Sequence, residues 1–185
     1  MASPYLLHLA THGTFLPDDL RVVGAGDPAY NVVSTQPMYR SWIGLARANE
    51  TFEAWRHGTV PDPLTDGVLT AAEAAQLPLN GTWLVTMSAC DTGLGVGRSG
   101  EGVMGLRRAF ALAGASHVLM TLWPVQDDRA RMFMEAFYAD ALGSNDAAGA
   151  LGRVQRHLLS DWRMKESPAR AARFAGAFVI NSVGR

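Results

Sequence analysis

Hydrophobic and polar positions divide the chain into short apolar runs and longer stretches with helical spacing. Residues 5 to 11, YLLHLAT, form an apolar run that stops at His12-Gly13; it is too short for a helix and predicts a strand. Residues 82 to 89, TWLVTMSA, are continuously apolar up to Cys90, the pattern of a buried parallel strand. SHVLMTLW at 116 to 123 predicts a third strand, closed by Pro124, and FAGAFVIN at 174 to 181 a last one. Between them, Val103, Leu106, Phe110 and Ala113 recur at helical spacing, with Gly114 suited to the helix end. Thr70 and Glu73 match a capping box for a short helix at 71 to 76. Asp127 or Asp128 is expected to cap a helix at 128 to 142 that Gly143 stops, and 145 to 159 predicts another amphipathic helix. Residues 14 to 69 are rich in Gly, Pro, Asn and Asp and are expected to be an irregular insertion, with RSWIGLA at 40 to 46 as a strand candidate.

Alternating apolar strands and helices predict an α/β fold: a mostly parallel sheet with helices on both faces, in three α/β/α layers. Length supports one domain over residues 1 to 185. Ligands of such sheets sit at the carboxyl ends of the strands. His12, Cys90 and the segment 124 to 128 all fall at predicted strand ends, so three separate parts of the chain converge on one rim.

Composition narrows the function classes. With a formal net charge of -1 there is no basic excess to hold a nucleic-acid backbone. No apolar run approaches the roughly 18 residues of a membrane span, the opening MASPYLLHLA has no basic start of a secretory signal, and a cytoplasmic location is expected. Cys90 is the single cysteine, so no disulfide forms within the chain. The glycine-rich loop at 93 to 102 lacks the G-x-x-x-x-G-K-[ST] pattern of a phosphate loop. No cofactor and no metal-ligand set is expected.

The candidate chemistry is nucleophilic. A lone cysteine is most often buried and inert, but Cys90 ends an apolar strand and precedes a glycine-rich turn, while His12 ends another strand beside Gly13. A thiolate attacks a carbonyl carbon only if its pKa falls from about 8.5, a bias that a neighbouring imidazole supplies. The same imidazole then protonates the leaving amine. The backbone amides of Gly13 and Cys90 are the natural donors to the tetrahedral oxyanion. His8 stands four residues before His12, roughly 13 Å along a strand, too far for two ligands of one metal ion; a packed, hydrogen-bonded histidine is expected there. His57, His117 and His157 have no chemical context.

The ordered segments HLATHG at 8 to 13, RSWIGLA at 40 to 46, DGVLTAAEAAQLPLNGT at 66 to 82, LVTMSACDTGLG at 84 to 95, GEGVMGLRRAFALAGASHVLMTLWPVQDD at 100 to 128 and MEAFY at 134 to 138 resemble the CHAT domain. Each is weak alone; in this order they are specific and cover nearly the whole chain. The resemblance implies a fold similar to that of caspases and separases and a cysteine endopeptidase with a Cys90/His12 dyad. Such an enzyme acts on a protein or peptide substrate through a thioester acyl-enzyme; the alternative is an inactive CHAT-like scaffold or regulatory interaction domain. Asp127 matches an aspartate in the family's LW-P-V-x-D segment. Separases prefer a basic residue before the scissile bond, so Asp127, with Asp91 beside the nucleophile, is a candidate substrate-binding carboxylate; Asp127 as a simple helix cap is the competing reading. Family members are frequent in bacteria and often fused to tetratricopeptide repeats. They usually carry strands before the histidine motif, which here begins at residue 8. The sheet is therefore expected to lack those opening strands and to expose an edge for a repeat-bearing partner or a second copy of the chain. The family's closing Trp-Ala-x-Phe reads Ala175-Gly176-Ala177-Phe178 here, without the tryptophan.

Overall fold

The computed structural model describes residues 3–11, 13–15, 37–59, 61–62, 65–87, 100–165 and 167–183. Strands β1 (Leu6–Leu9), β5 (Leu84–Met87), β6 (His117–Thr121) and β7 (Phe178–Ser182) form one sheet in the order β1-β5-β6-β7. β1, β5 and β6 run parallel, and β7 lies antiparallel to β6. A second, antiparallel sheet has the order β2-β3-β4, from β2 (Gly13–Phe15), β3 (Ser41–Gly44) and β4 (Val68–Thr70). The helices are α1 (Pro37–Arg40), α2 (Ala48–Arg56), α3 (Ala71–Ala74), α4 (Gly100–Leu112), α5 (Asp127–Ser144), α6 (Ala147–Lys165) and α7 (Pro168–Ala175).

The four-stranded sheet is the middle layer, because its side chains alternate between two cores. Val85, Met87, Val118 and Met120 pack with Phe110 and Ala109 of α4 and with Ile43 of the second sheet. Leu84 and Leu119 face the other way, onto Phe133 and Phe137 of α5 and Leu151 and Val154 of α6. The expected three-layer, mostly parallel architecture is therefore present. Among the described residues, no helix is long and apolar enough to cross a membrane.

Several elements differ from the sequence expectations. The described parts of residues 14 to 69 contain strands and helices, β3 among them. α5 begins one residue earlier than expected: Gln126, extended at φ -62° and ψ 134°, is the N-cap without a side-chain bond, so Asp127 and Asp128 occupy the first turn. There their carboxylates complement the helix dipole rather than cap it. α5 also runs past Gly143 to Ser144, and Asn145 takes the left-handed conformation that ends it. The first part of the expected strand 174–181 belongs to α7, which Ser167 caps through its hydroxyl and Pro168 opens.

At α3 the capping box is complete: Thr70 Oγ1 accepts from the Glu73 amide at 3.2 Å, and Glu73 Oε2 accepts from the Thr70 amide at 2.8 Å. Thr70→Ala is expected to lower the unfolding free energy by about 1 kcal/mol. Glu73→Gln, which keeps an acceptor in the box, should cost less. Urea midpoints at constant slope measure both; a larger loss for Glu73→Gln would rule the box out as the cause.

Candidate active-site cleft

The carboxyl ends of β1 and β6 open into a cleft of about 600 Å³. One wall is the chain after β1, with Ala10 and Thr11; the Thr11 hydroxyl donates to the Gly44 carbonyl and ties this end to the second sheet. The opposite wall is Pro124, Val125 and a stripe of α5 at Asp127, Arg131, Met134 and Tyr138. Steps of four, three and four residues keep that stripe on one helix face.

His8 and Tyr138 meet in the cleft. Tyr138 Oη lies 3.0 Å from His8 Nδ1 and donates to Thr86 Oγ1 at 2.9 Å. Burial lowers the His8 pKa below its ordinary value, so this imidazole is neutral at neutral pH. Burial raises the Tyr138 pKa, partly offset by the bond to Thr86. Each shift favours an uncharged group, and the three side chains form a neutral hydrogen-bonded chain from β1 across α5 to β5. His8 is thus the hydrogen-bonded histidine its spacing suggested, set in the cleft wall. Glu135, also at the cleft, is held by Arg131 at 2.6 Å.

Of the residues singled out from the sequence, His12, Cys90 and Asp91 lie outside the described residues. Gly13 opens β2 and is buried. Asp127 lines the cleft from the first turn of α5. Tyr138 and Thr86 are the contributors that sequence reasoning passed over; the helical interval from Asp127 through Met134 to Tyr138 is the signal that marks that face. His117 is structural, with Nδ1 2.8 Å from Ser182 Oγ and its ring edge-on to Trp83.

The family model for the CHAT domain matches residues 1–179. Tetratricopeptide repeat protein 28 of Homo sapiens is 34% identical over 178 residues, which is 95% of this chain and 7% of that protein. Its counterpart of the same name in Mus musculus is 36% identical over 94 residues, 51% of this chain and 4% of that protein. The chain therefore spans a small fraction of the length of these relatives. A match over nearly every residue, on a mostly parallel sheet flanked by helices, has one reading: this chain belongs to the CHAT domain family of the caspase-like clan.

Proposed function

We propose that this domain is a cysteine endopeptidase in which Cys90 is the nucleophile and His12 the base. The observation that carries the reading is the register of the edge strand β1 against its neighbour β5. β1 and β5 are parallel neighbours, and their last pair is Leu9 with Met87. His12 follows Leu9 by three residues and Cys90 follows Met87 by three. Equal offsets from one paired position, at the carboxyl edge of adjacent parallel strands, are what a dyad at that edge requires. Thr11, the residue before His12, lines the cleft.

In the proposed reaction His12 takes the thiol proton and the Cys90 sulfur attacks the substrate carbonyl. The amides of Gly13 and Cys90 bind the oxyanion. The C–N bond breaks as His12 protonates the leaving amine, leaving a thioester. Water, deprotonated by His12, then hydrolyses it and frees the acid. Asp127, with Asp91 as second candidate, receives a basic side chain before the scissile bond. Its place in the first turn of α5 but not at the cap supports this use, since Gln126 holds the N-cap position. Both relatives are named for tetratricopeptide repeats, which supports a repeat-bearing segment or partner beside the domain.

An acyloxymethylketone probe ending in Arg is expected to label Cys90, located by peptide mapping. Asp127→Asn should slow labelling by the Arg probe by at least about tenfold, the scale of one charge-assisted bidentate contact, while a probe ending in a neutral residue is spared. Equal rates for both probes in both proteins would remove Asp127 from the substrate site. No labelling of Cys90 by either probe would return the domain to the non-catalytic scaffold reading.

A further inference from the structure

The α5 face of the four-stranded sheet changes character towards its carboxyl end. Leu6 of β1 is paired with Leu84 of β5, and both belong to the apolar layer that holds Phe133 and Phe137. Two residues on, the next pair on the same face is His8 with Thr86. Thr86 is 1% exposed, and among the described residues the Tyr138 hydroxyl is the group that bonds its side chain. The same hydroxyl lies 3.0 Å from His8 Nδ1. One phenol therefore joins two residues that are register partners on neighbouring strands. Packing alone does not call for this, because Val and Phe would fill the places of Thr86 and Tyr138 with no buried hydroxyl to satisfy.

The bridge stands on a firm support. Phe133, Phe137 and Ala141 are fully buried and hold α5 against the sheet, with Tyr138 next to Phe137 in the chain. The imidazole packs against the phenol ring, with centroids 5.7 Å apart. Tyr138 has one hydroxyl proton and gives it to Thr86, so it accepts from Nδ1–H of His8 and holds one imidazole tautomer. A hydrogen-bonded network in a low-dielectric layer favours one arrangement of the elements it joins. β1 depends on such a hold more than β5 does. It is four residues long and, among the described residues, pairs on one side only. His12 follows His8 by four residues, and Cys90 follows Thr86 by four.

We propose that Tyr138 is a positioning residue for the Cys90/His12 dyad, acting through His8 and Thr86. By clamping one registered pair of β1 and β5 to α5, it sets the separation of the strand ends that His12 and Cys90 follow. The assignment rests on the peptidase reading. A nucleophile and its base must come within hydrogen-bond reach, and a displacement on the order of 1 Å can cost about 10²-fold in rate. Burial keeps the phenol protonated and its proton is committed to Thr86, so Tyr138 holds the strands and is not an acid of the reaction.

Paired variants separate positioning from packing. Tyr138→Phe leaves the Thr86 hydroxyl buried without its partner and should lower the urea midpoint. Tyr138→Phe/Thr86→Val puts apolar groups of the same shape at both ends and should restore the midpoint. Labelling of Cys90 by the acyloxymethylketone ending in Arg should nevertheless stay slow in both, by about tenfold or more at saturating probe, at an unchanged half-saturating concentration. The pH midpoint for alkylation of Cys90, the single cysteine, by iodoacetamide should rise towards about 8.5, that of a free thiol. His8→Leu should slow labelling in the same way, and His8→Asn, which keeps an N–H donor, should restore it. His8 is solvent-accessible in the cleft wall, so these two variants carry the comparison if the phenylalanine variants do not fold. The clamp is overturned if labelling recovers together with the midpoint in the double variant, or if Tyr138→Phe or His8→Leu labels at the parental rate. A lowered alkylation midpoint in the parent that the double variant keeps would also sink the clamp, and the clamp alone. A parental Cys90 with an unshifted midpoint, indifferent to His12→Ala, would sink the peptidase reading and the clamp with it.

Discussion

Cys90→Ala is expected to lower the rate of peptide hydrolysis by on the order of 10⁴-fold or more, with its circular dichroism unchanged. The thiol is the chain's only cysteine sulfur, so no neighbouring thiolate can take over the attack. On the proposed mechanism, oxyanion binding and substrate positioning would remain after its loss, acting on a water-mediated reaction of far higher barrier. The proposed partner makes the test sharper. Groups that act as one unit lose activity non-additively, so His12→Ala should fall nearly as far, and the double variant hardly further. A Cys90→Ala protein retaining parental activity would show that another group performs the attack. Two independent losses that multiply in the double variant would show that His12 and Cys90 do not work as a pair.

Much of the architecture is legible in the apolar pattern because the central strands are buried on both faces. β5 is buried throughout, and β6 is buried from Val118 to Thr121, so each appears as an unbroken apolar run. Strand direction is not encoded that way. β7 is antiparallel because α7 and a tight turn return the chain beside β6. The N-terminus of α5 was ambiguous for a related reason. Aspartate is favoured both as N-cap and in the first turn, by side-chain bonding in one case and by the dipole in the other. Only backbone angles at Gln126 separate the two. The strands of the second sheet are three or four residues long and pair across intervals in which local periodicity carries no information. His12 and Cys90 stand out in the sequence as motif residues, whereas the cleft wall does not. Asp127, Arg131, Met134 and Tyr138 are chemically unlike one another, and only their spacing along α5 unites them.

The largest loss of stability is expected at Phe133, where three elements meet. Its side chain is fully buried. The ring stacks on Phe178 of β7, with centroids 3.6 Å apart and planes within 6°, and meets Phe174 of α7 edge-on at 6.1 Å. Trp162 of α6 stacks on the same Phe174 at 4.7 Å, so the cluster joins α5, α6, α7 and β7. Phe133→Ala removes the ring from a fully buried site flanked by the rings of Phe174 and Phe178, which are themselves held in the aromatic cluster. The expected cost is about 3–5 kcal/mol, transfer and cavity terms together, against a total stability on the order of 5–15 kcal/mol for a domain of this kind. Phe133→Leu, which refills most of the volume, should cost clearly less. Urea unfolding at unchanged slope measures both. A loss below about 1 kcal/mol for Phe133→Ala would mean that the aromatic cluster does not hold α7 and β7 to the sheet.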